Sequence, residues 1–295
     1  MRRTLIAAVA LVAACYNPDY TTKPCKDDTG CPTALGYSCV TGLCSLTSVP
    51  GMTDPRPKRT EVEVRPSMGV FTLGTSASDG LNDTMGYLRN SPTPFYLDER
   101  EVTVAEYRAC VTAQVCTAPA TGIHGVDNWT CTYGVAGKDQ HPVTCVTKLQ
   151  ADAFCTWMGR RLPTEVEWEF AALGFAGTSG QRLVFPGALG GNACWNMGGS
   201  CPVASYPTIK TYLGQIVVAE APGFYDLLGN AWEKTSSPFC TYPSETCPSE
   251  MRLSVRGGSG WDSDLRLSKA TSRLGNLASE YYPNQGFRCA RTAAP

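Results

Sequence analysis

Read for its apolar and polar positions, the chain starts with an uninterrupted apolar run, Leu5 to Ala14 (LIAAVALVAA), behind Arg2 and Arg3. At about 1.5 Å of rise per residue this run is too short to cross a ~30 Å hydrocarbon core. It has the form of the h-region of a secretory signal. Loose alternation over Val62 to Leu73 (VEVRPSMGVFTL) predicts a pair of strands, and Phe95 to Leu97 predicts a short strand before Glu101 and Val102. Three helix starts follow, each written as a capping box: Thr103 with Glu106, Thr147 with Gln150, and Thr164 with Glu167. In each, the Thr hydroxyl takes an orphan N–H of the first turn while the Glu or Gln side chain takes the N–H of the cap. The second helix should stop at Gly159 and the third at Gly174. Ser45 to Thr60 (SLTSVPGMTDPRPKRT) has no apolar period and reads as a linker.

Composition sharpens this picture. With 29 Gly and 21 Pro in 295 residues the chain is rich in turns, which argues against a helical bundle or a regular repeat array. Charged residues are only 17% and apolar ones 43%, so most of the chain folds. A formal net charge of −1 lacks the basic field that nucleic-acid binding needs. Two His in the whole chain argue against His-rich zinc or iron sites. Neither a phosphate-binding Gly-rich loop with a following Lys-Ser or Lys-Thr nor a GxSxG elbow is present.

Fifteen Cys point to an oxidising compartment. The apolar run ends in Val12-Ala13-Ala14-Cys15, the form of a bacterial lipobox. On that reading residues 1–14 are a lipoprotein signal and Cys15 carries lipid, which anchors the chain to a membrane without spanning it. Residue 16 is Tyr rather than Asp, so the expected address is the outer membrane. Residues 15–44 form a small Cys-rich segment with Cys25, Cys31, Cys39 and Cys44. It has too few apolar residues for a core, so disulfides should hold it. Three pairings are open, of which Cys25–Cys39 with Cys31–Cys44 is preferred. Residues 45–61 are the linker and 62–292 the main domain. Eight further Cys fall into near neighbours: Cys110 with Cys116, Cys131 with Cys145, Cys194 with Cys201, Cys240 with Cys247.

The main domain carries blocks that resemble a known family. Gly159-Arg-Arg-Leu-Pro-Thr-Glu-Val-Glu-Trp-Glu-Phe-Ala171 is similar to the RLPTE block of formylglycine-generating enzymes, also called sulfatase-modifying factors. In the same order come Glu101 to Tyr107 (EVTVAEY), His141-Pro-Val with Ala153 to Trp157 (AFCTW), Gly223 to Glu233 (GFYDLLGNAWE), and Arg256-Gly-Gly-Ser259 with Arg273 and Gly286-Phe-Arg288. The resemblance implies an α+β, loop-rich, disulfide-rich fold related to C-type lectins. It implies a disulfide between Cys155 and Cys289. It also implies calcium at the GNAWE block, held by the side chains of Asp226 and Glu233 and the carbonyls of Gly229 and Ala231, hard oxygen donors of the kind Ca²⁺ takes. A second calcium site around Asn192 and Ala193 lacks its acidic residue between Met197 and Thr211. Residues alone read more plainly: the aromatics are core, Arg161, Glu167 and Glu169 are a buried polar network, and His141, before a Pro, is a turn residue with a hydrogen-bonding role.

The chain departs from the family at the chemistry. The resembled oxidases bind copper through two Cys just beyond RGGS; two thiolates suit Cu(I). Here the segment is Ser259-Gly-Trp-Asp-Ser-Asp-Leu-Arg-Leu-Ser-Lys269, and the Cys positions hold Asp262 and Leu267. Copper is therefore not expected, and whether the domain is an enzyme stays open. The expected function is a non-catalytic envelope lipoprotein that binds a peptide, protein or glycan in a groove near Trp261, Asp262, Arg266 and Arg273. The alternatives are an oxidase acting on protein cysteine and a structural protein of envelope assembly.

Overall fold

The computed structural model describes residues 26, 37–40, 43–46, 54, 56–66, 69–74, 87–124, 128–173, 193–206, 209–212, 215–218, 223–242, 246–247, 252–264, 267 and 270–293. Cys15, the expected lipidation position, Cys25 and Cys31, expected in disulfides, Gly174, the expected helix stop, Asn192 and Arg266 lie outside the described residues. The chain divides into two units, Met1–Pro55 and Arg56–Pro295. In the first, β1 (Tyr37–Val40) pairs antiparallel with β2 (Leu43–Leu46), with Cys39 opposite Cys44. Cys39 is disulfide-bonded.

The second unit is α+β and loop-rich. Its elements in order are β3 (Glu61–Val64), β4 (Val70–Leu73), β5 (Tyr87–Asn90), β6 (Phe95–Asp98), α1 (Val104–Thr112), β7 (Ile123–His124) and β8 (Trp129–Thr130). Next come α2 (Lys148–Trp157), α3 (Glu165–Leu173), β9 (Ile209–Tyr212), β10 (Gln215–Val218) and β11 (Trp232–Pro238). The last are β12 (Arg252–Arg256), β13 (Arg273–Leu277), β14 (Gln285–Gly286) and β15 (Ala290–Thr292). Two sheets carry the fold: β13-β12-β11-β14, and β15-β6-β3.

All three capping boxes form. Thr103 accepts from Glu106 N–H, whose carboxylate takes Thr103 N–H at 2.8 Å. Thr147 and Gln150 repeat this at α2, which ends at Met158 before Gly159 (φ +71°). At α3, Glu167 accepts from Thr164 N–H at 2.8 Å and donates its own N–H to the Thr164 hydroxyl at 3.1 Å.

The strands expected over Val62 to Leu73 form but do not pair with each other. β3 pairs with β6, setting Val62 opposite Leu97, and β4 pairs with β5. Burial decides this. Val64, Phe95 and Leu97 are all fully buried, in one core with Trp168, Phe170, Leu227 and Phe71. A local hairpin across Pro66 would not bring Val64 to Phe95 and Leu97. A second core joins α1 and α2, with Tyr107 stacked on Phe154 at 5.7 Å and Phe287 edge-on to Phe154 at 5.7 Å. Five disulfides staple these loops: Cys110–Cys116, Cys131–Cys145, Cys155–Cys289, Cys194–Cys201 and Cys240–Cys247. All five are the expected pairs, so none of these ten Cys offers a free thiol. Among the described residues no helix is long and apolar enough to cross a membrane.

Candidate functional site

Three loops meet at the centre of the second unit: 193–206, 223–231 and 257–262. Gly229 (φ +83°) lies so close to the Cys194 carbonyl that a Cβ would collide with it. The tight turn lets Asn230 N–H donate to Cys194 O at 2.8 Å, and Gly260 N–H to Asn230 O at 3.0 Å. The Asn230 amide also donates to Glu101 at 2.5 Å and accepts from Cys201 N–H at 2.9 Å. Glu101 takes Ala231 N–H as well, at 3.0 Å.

The four positions that the resemblance assigns to calcium lie in this knot. Asp226 accepts Ala204 N–H at 2.6 Å and Tyr206 N–H at 3.3 Å. Glu233 is held by the Arg288 guanidinium, at 2.9 and 2.7 Å on one oxygen, and takes Trp168 Nε1–H at 2.8 Å on the other. Arg288 is itself fully buried and donates on to the carbonyls of Asp98, Glu99 and Tyr225. Burial pushes the Asp226 carboxyl up to about 7, against the pull of Arg288 and its two backbone donors. Burial, then the charges of Asp226 and Glu233, push Glu101 well above the usual glutamate range. As placed, both carboxylates of this set are engaged by N–H donors, and the guanidinium bound to Glu233 works against a dication there. Among the described residues no group of three His, Cys, Asp or Glu side chains is arranged to hold a metal.

The two positions that the resemblance assigns to the family's Cys pair make hydrogen bonds within their own turn. Asp262 is buried, and its Oδ2 accepts three bonds: Trp232 Nε1–H at 2.7 Å, Ser259 N–H at 2.7 Å and the Ser259 hydroxyl at 2.9 Å. Its carboxylate closes the turn and fastens it to β11. Leu267 is half-buried, its N–H donating to Asp264 O at 2.9 Å.

The expected groove is corrected at two of its residues. Arg273 is in the core, not in a groove: its guanidinium forks onto Glu165 at 2.8 and 2.7 Å and lies over the rings of Tyr242 and Phe239 at 4.0 and 4.4 Å. Glu165 also pairs with Arg256, whose guanidinium reaches Glu169. Two buried carboxylates facing two buried guanidinia make a fixing network, because each charge needs its partner. Asp262, turned inward, is likewise no groove wall. The expected buried network of Arg161, Glu167 and Glu169 divides: Arg161 pairs with Glu167 at 2.8 and 2.7 Å but is partly exposed, and Glu169 bonds Arg256 in the core instead.

Trp261 does face open space. A cavity of about 200 Å³ lies between β8 with the turn after it, the Gly198–Ser200 loop and Trp261. The Trp129 and Trp261 rings are 6.1 Å apart and tilted by 42°. Lys138 lines the same space. Beneath it His141 Nδ1 is bonded to Ser200 Oγ at 2.9 Å, the hydrogen-bonding role expected of a turn residue. Burial, then the Lys138 charge, hold His141 below the usual histidine range. Trp129, Lys138 and Ser200 were not singled out from the sequence. The one local cue, Trp129 inside Asn128-Trp-Thr130, says nothing of a partner at position 261.

Comparison with known proteins follows the same lines. The family described as sulfatase-modifying factor enzyme 1-like domain matches residues 50–293. The inactive Cα-formylglycine-generating enzyme 2 of Mus musculus is 35% identical over 180 residues, 54% of this chain and 52% of its own. This chain thus spans about half the length of that relative. The formylglycine-generating enzyme of Streptomyces coelicolor is 27% identical over 299 residues, 81% of this chain and 91% of its own. Among solved structures, PvdO from Pseudomonas aeruginosa superimposes with a TM-score of 0.59 at 22% identity, covering 79% of this chain and 94% of that one, a likeness of fold.

Proposed function

We propose, from the premise that this chain belongs to the sulfatase-modifying factor enzyme 1-like family, that its main domain is a non-catalytic binding module that takes a peptide or glycan beside Trp261. The observation that carries this is Asp262. The position where the family's oxidases hold a copper-binding Cys has a carboxylate whose Oδ2 accepts three hydrogen bonds from its own fold. A side chain so occupied has nothing to offer Cu(I), and Cys110, Cys116, Cys131, Cys145, Cys155, Cys194, Cys201, Cys240, Cys247 and Cys289 are tied in disulfides. A relative whose name calls it inactive supports the same reading. Fold resemblance carries function less safely than the residues of a site do.

The second reading is an oxidase acting on protein cysteine, favoured by the likeness to a formylglycine-generating enzyme over most of both chains. An assay of the mature chain with copper, O2 and a Cys-x-Pro-x-Arg peptide, followed by mass spectrometry, separates the two. The peptide should emerge unchanged; conversion of its Cys to an aldehyde would overturn the binding reading. A structural role in envelope assembly is a third reading, favoured if no peptide or glycan binds.

The binding module belongs, on this reading, to a lipoprotein. Support comes from Arg2 and Arg3, the apolar run Leu5 to Ala14 and the Val12-Ala13-Ala14-Cys15 boundary. Lipid on Cys15 would carry it to the outer membrane. Expression in a bacterium should give a mature chain beginning at an acylated Cys15, and Cys15→Ala should release it from membranes. An unmodified N-terminus elsewhere would refute the anchor.

A further inference from the structure

The cavity beside Trp261 has a chemistry narrower than "peptide or glycan". Its upper wall is two indole rings set at an angle, both half-buried, with centroids 6.1 Å apart. Flat apolar faces of this kind take a flat ligand whose faces are C–H and whose edges are polar. The rim offers polar groups for those edges: Asn128, Thr130 and the backbone of Gly198 and Gly199. The space, about 200 Å³, is of the order of one sugar ring rather than a run of several residues. The walls are a two-residue strand and turns, so no run of main-chain groups is there to receive an extended peptide by strand addition. One ring fits this shape better than a peptide segment.

Lys138 adds a charge. It is half-buried and lines the cavity, and no carboxylate pairs with it among the described residues. Its one polar side-chain neighbour is His141 Nδ1 at 3.4 Å. Burial lowers the ammonium's pKa, as expected of a cation with no carboxylate beside it among the described residues. Buried and half-buried Arg side chains have carboxylates (Arg59 with Asp98 and Glu106, Arg100 with Glu106, Arg256 with Glu169, Arg288 with Glu233), and the buried Lys234, which has none in an ion pair, is instead held by Gln285 Oε1 and the Glu280 carbonyl. A partly desolvated cation in an open cavity is where an incoming anion gains most.

The cavity is also preformed. Cys131–Cys145 ties the strand that carries Trp129, and Cys194–Cys201 closes the loop that carries Gly198 to Ser200. Met197 N–H donates to Gly260 O at 2.8 Å and Asn196 N–H to Asp262 O at 3.1 Å, which sets that loop against Trp261. Gly260 lies so close to Gly199 O that no Cβ could stand there. A wall held this way orders little on binding.

We infer that the Trp129–Trp261 cavity is a subsite for one pyranose ring bearing a carboxylate, a hexuronate unit of an acidic glycan, stacked on the indoles with its carboxylate on Lys138. The inference rests on the binding reading above. Its test is tryptophan fluorescence and ligand-observed NMR on the mature chain, with short oligomers of galacturonate, glucuronate and mannuronate, their methyl esters, neutral hexose oligomers and a Cys-x-Pro-x-Arg peptide, each up to about 10 mM. At least one uronate oligomer should bind saturably. Its methyl ester and the variant Lys138→Met, which keeps the apolar stem, should each weaken binding about tenfold or more. Trp129→Ala and Trp261→Ala should abolish it, with unchanged thermal melting showing that they fold. Equal binding of acid, ester and neutral oligomers, or no effect of Lys138→Met, would overturn the inference and leave the binding reading standing. Binding of the peptide alone would do the same. Binding of nothing in the panel would overturn the inference, and oxidation of the peptide would overturn both.

Discussion

Replacing Asp262 by Cys, the residue type that the resemblance implies for this position, tests whether the carboxylate is a strut. Its Oδ2 accepts Trp232 Nε1–H and Ser259 N–H at 2.7 Å each and the Ser259 hydroxyl at 2.9 Å. Sulfur is a weak acceptor. Trp232 is fully buried and Ser259 likewise, so both N–H donors would be left without a partner. A stranded buried donor costs about 1–3 kcal/mol, and two cost about 2–6 kcal/mol. The hydroxyl can turn elsewhere and adds little. Relief of the buried carboxylate, which burial holds above the usual aspartate range, offsets part of this. A net loss of about 2–4 kcal/mol corresponds to a midpoint lower by about 5–15 °C for a domain of this size. Asp262→Asn keeps an acceptor oxygen in place and should lose less than about 1 kcal/mol. Thermal and urea unfolding of the mature chain, with disulfides intact, reads both variants. If Asp262→Cys unfolds within about 1 kcal/mol of the parent, the carboxylate is not a strut and the observation behind the non-catalytic reading loses its force.

Other predictions follow from the same structure. Cys155–Cys289 spans 134 residues, and replacing both by Ala should cost about 4–5 kcal/mol in the chain-entropy model, read as a fall in the urea midpoint. Glu165→Gln leaves Arg273 and Arg256 short of a partner and should cost about 3–5 kcal/mol; an unchanged midpoint would refute the network's role. Burial pushes Glu165 up, but Arg256, Arg273 and the Ser254 hydroxyl outweigh it and leave its carboxyl below the usual range. Its stabilisation is therefore complete above the ordinary glutamate pKa and lost as pH falls through the depressed folded value, so parent and Glu165→Gln should converge in stability on acidification below about pH 4. Calcium added after chelation should not raise the midpoint beyond what ionic strength does. A saturable rise that Asp226→Asn abolishes would show that Arg288 yields Glu233 to the ion.

The legible part of this protein is the part written over short distances. A capping box needs only residues three apart, and all three boxes formed where Thr103, Thr147 and Thr164 announced them. Cysteines separated by 6 to 14 residues pair almost by proximity, as Cys110–Cys116 and Cys131–Cys145 do. Cys155–Cys289 is different: it was legible only through the family resemblance. The absence of Cys at positions 262 and 267 needs no folding to be read.

What escaped the sequence depends on which distant side chains come to share one space. Arg273 looks like any surface arginine until Glu165, 108 positions earlier, is packed against it in the core. Glu233 looks like a free carboxylate until Arg288, 55 positions on, is packed against it. Strand β3 passes over its neighbour β4 for β6 because Phe95 and Leu97 bury Val64 better than a local hairpin could. The Trp129–Trp261 cavity exists only where the disulfide-tied loops meet. Short-range signals are set by backbone geometry and hydrogen-bond demand within a turn or two, which residue identity alone dictates. Long-range partners are chosen by the burial of the whole core and the pairing of every buried charge, and neither is defined until the chain has closed on itself.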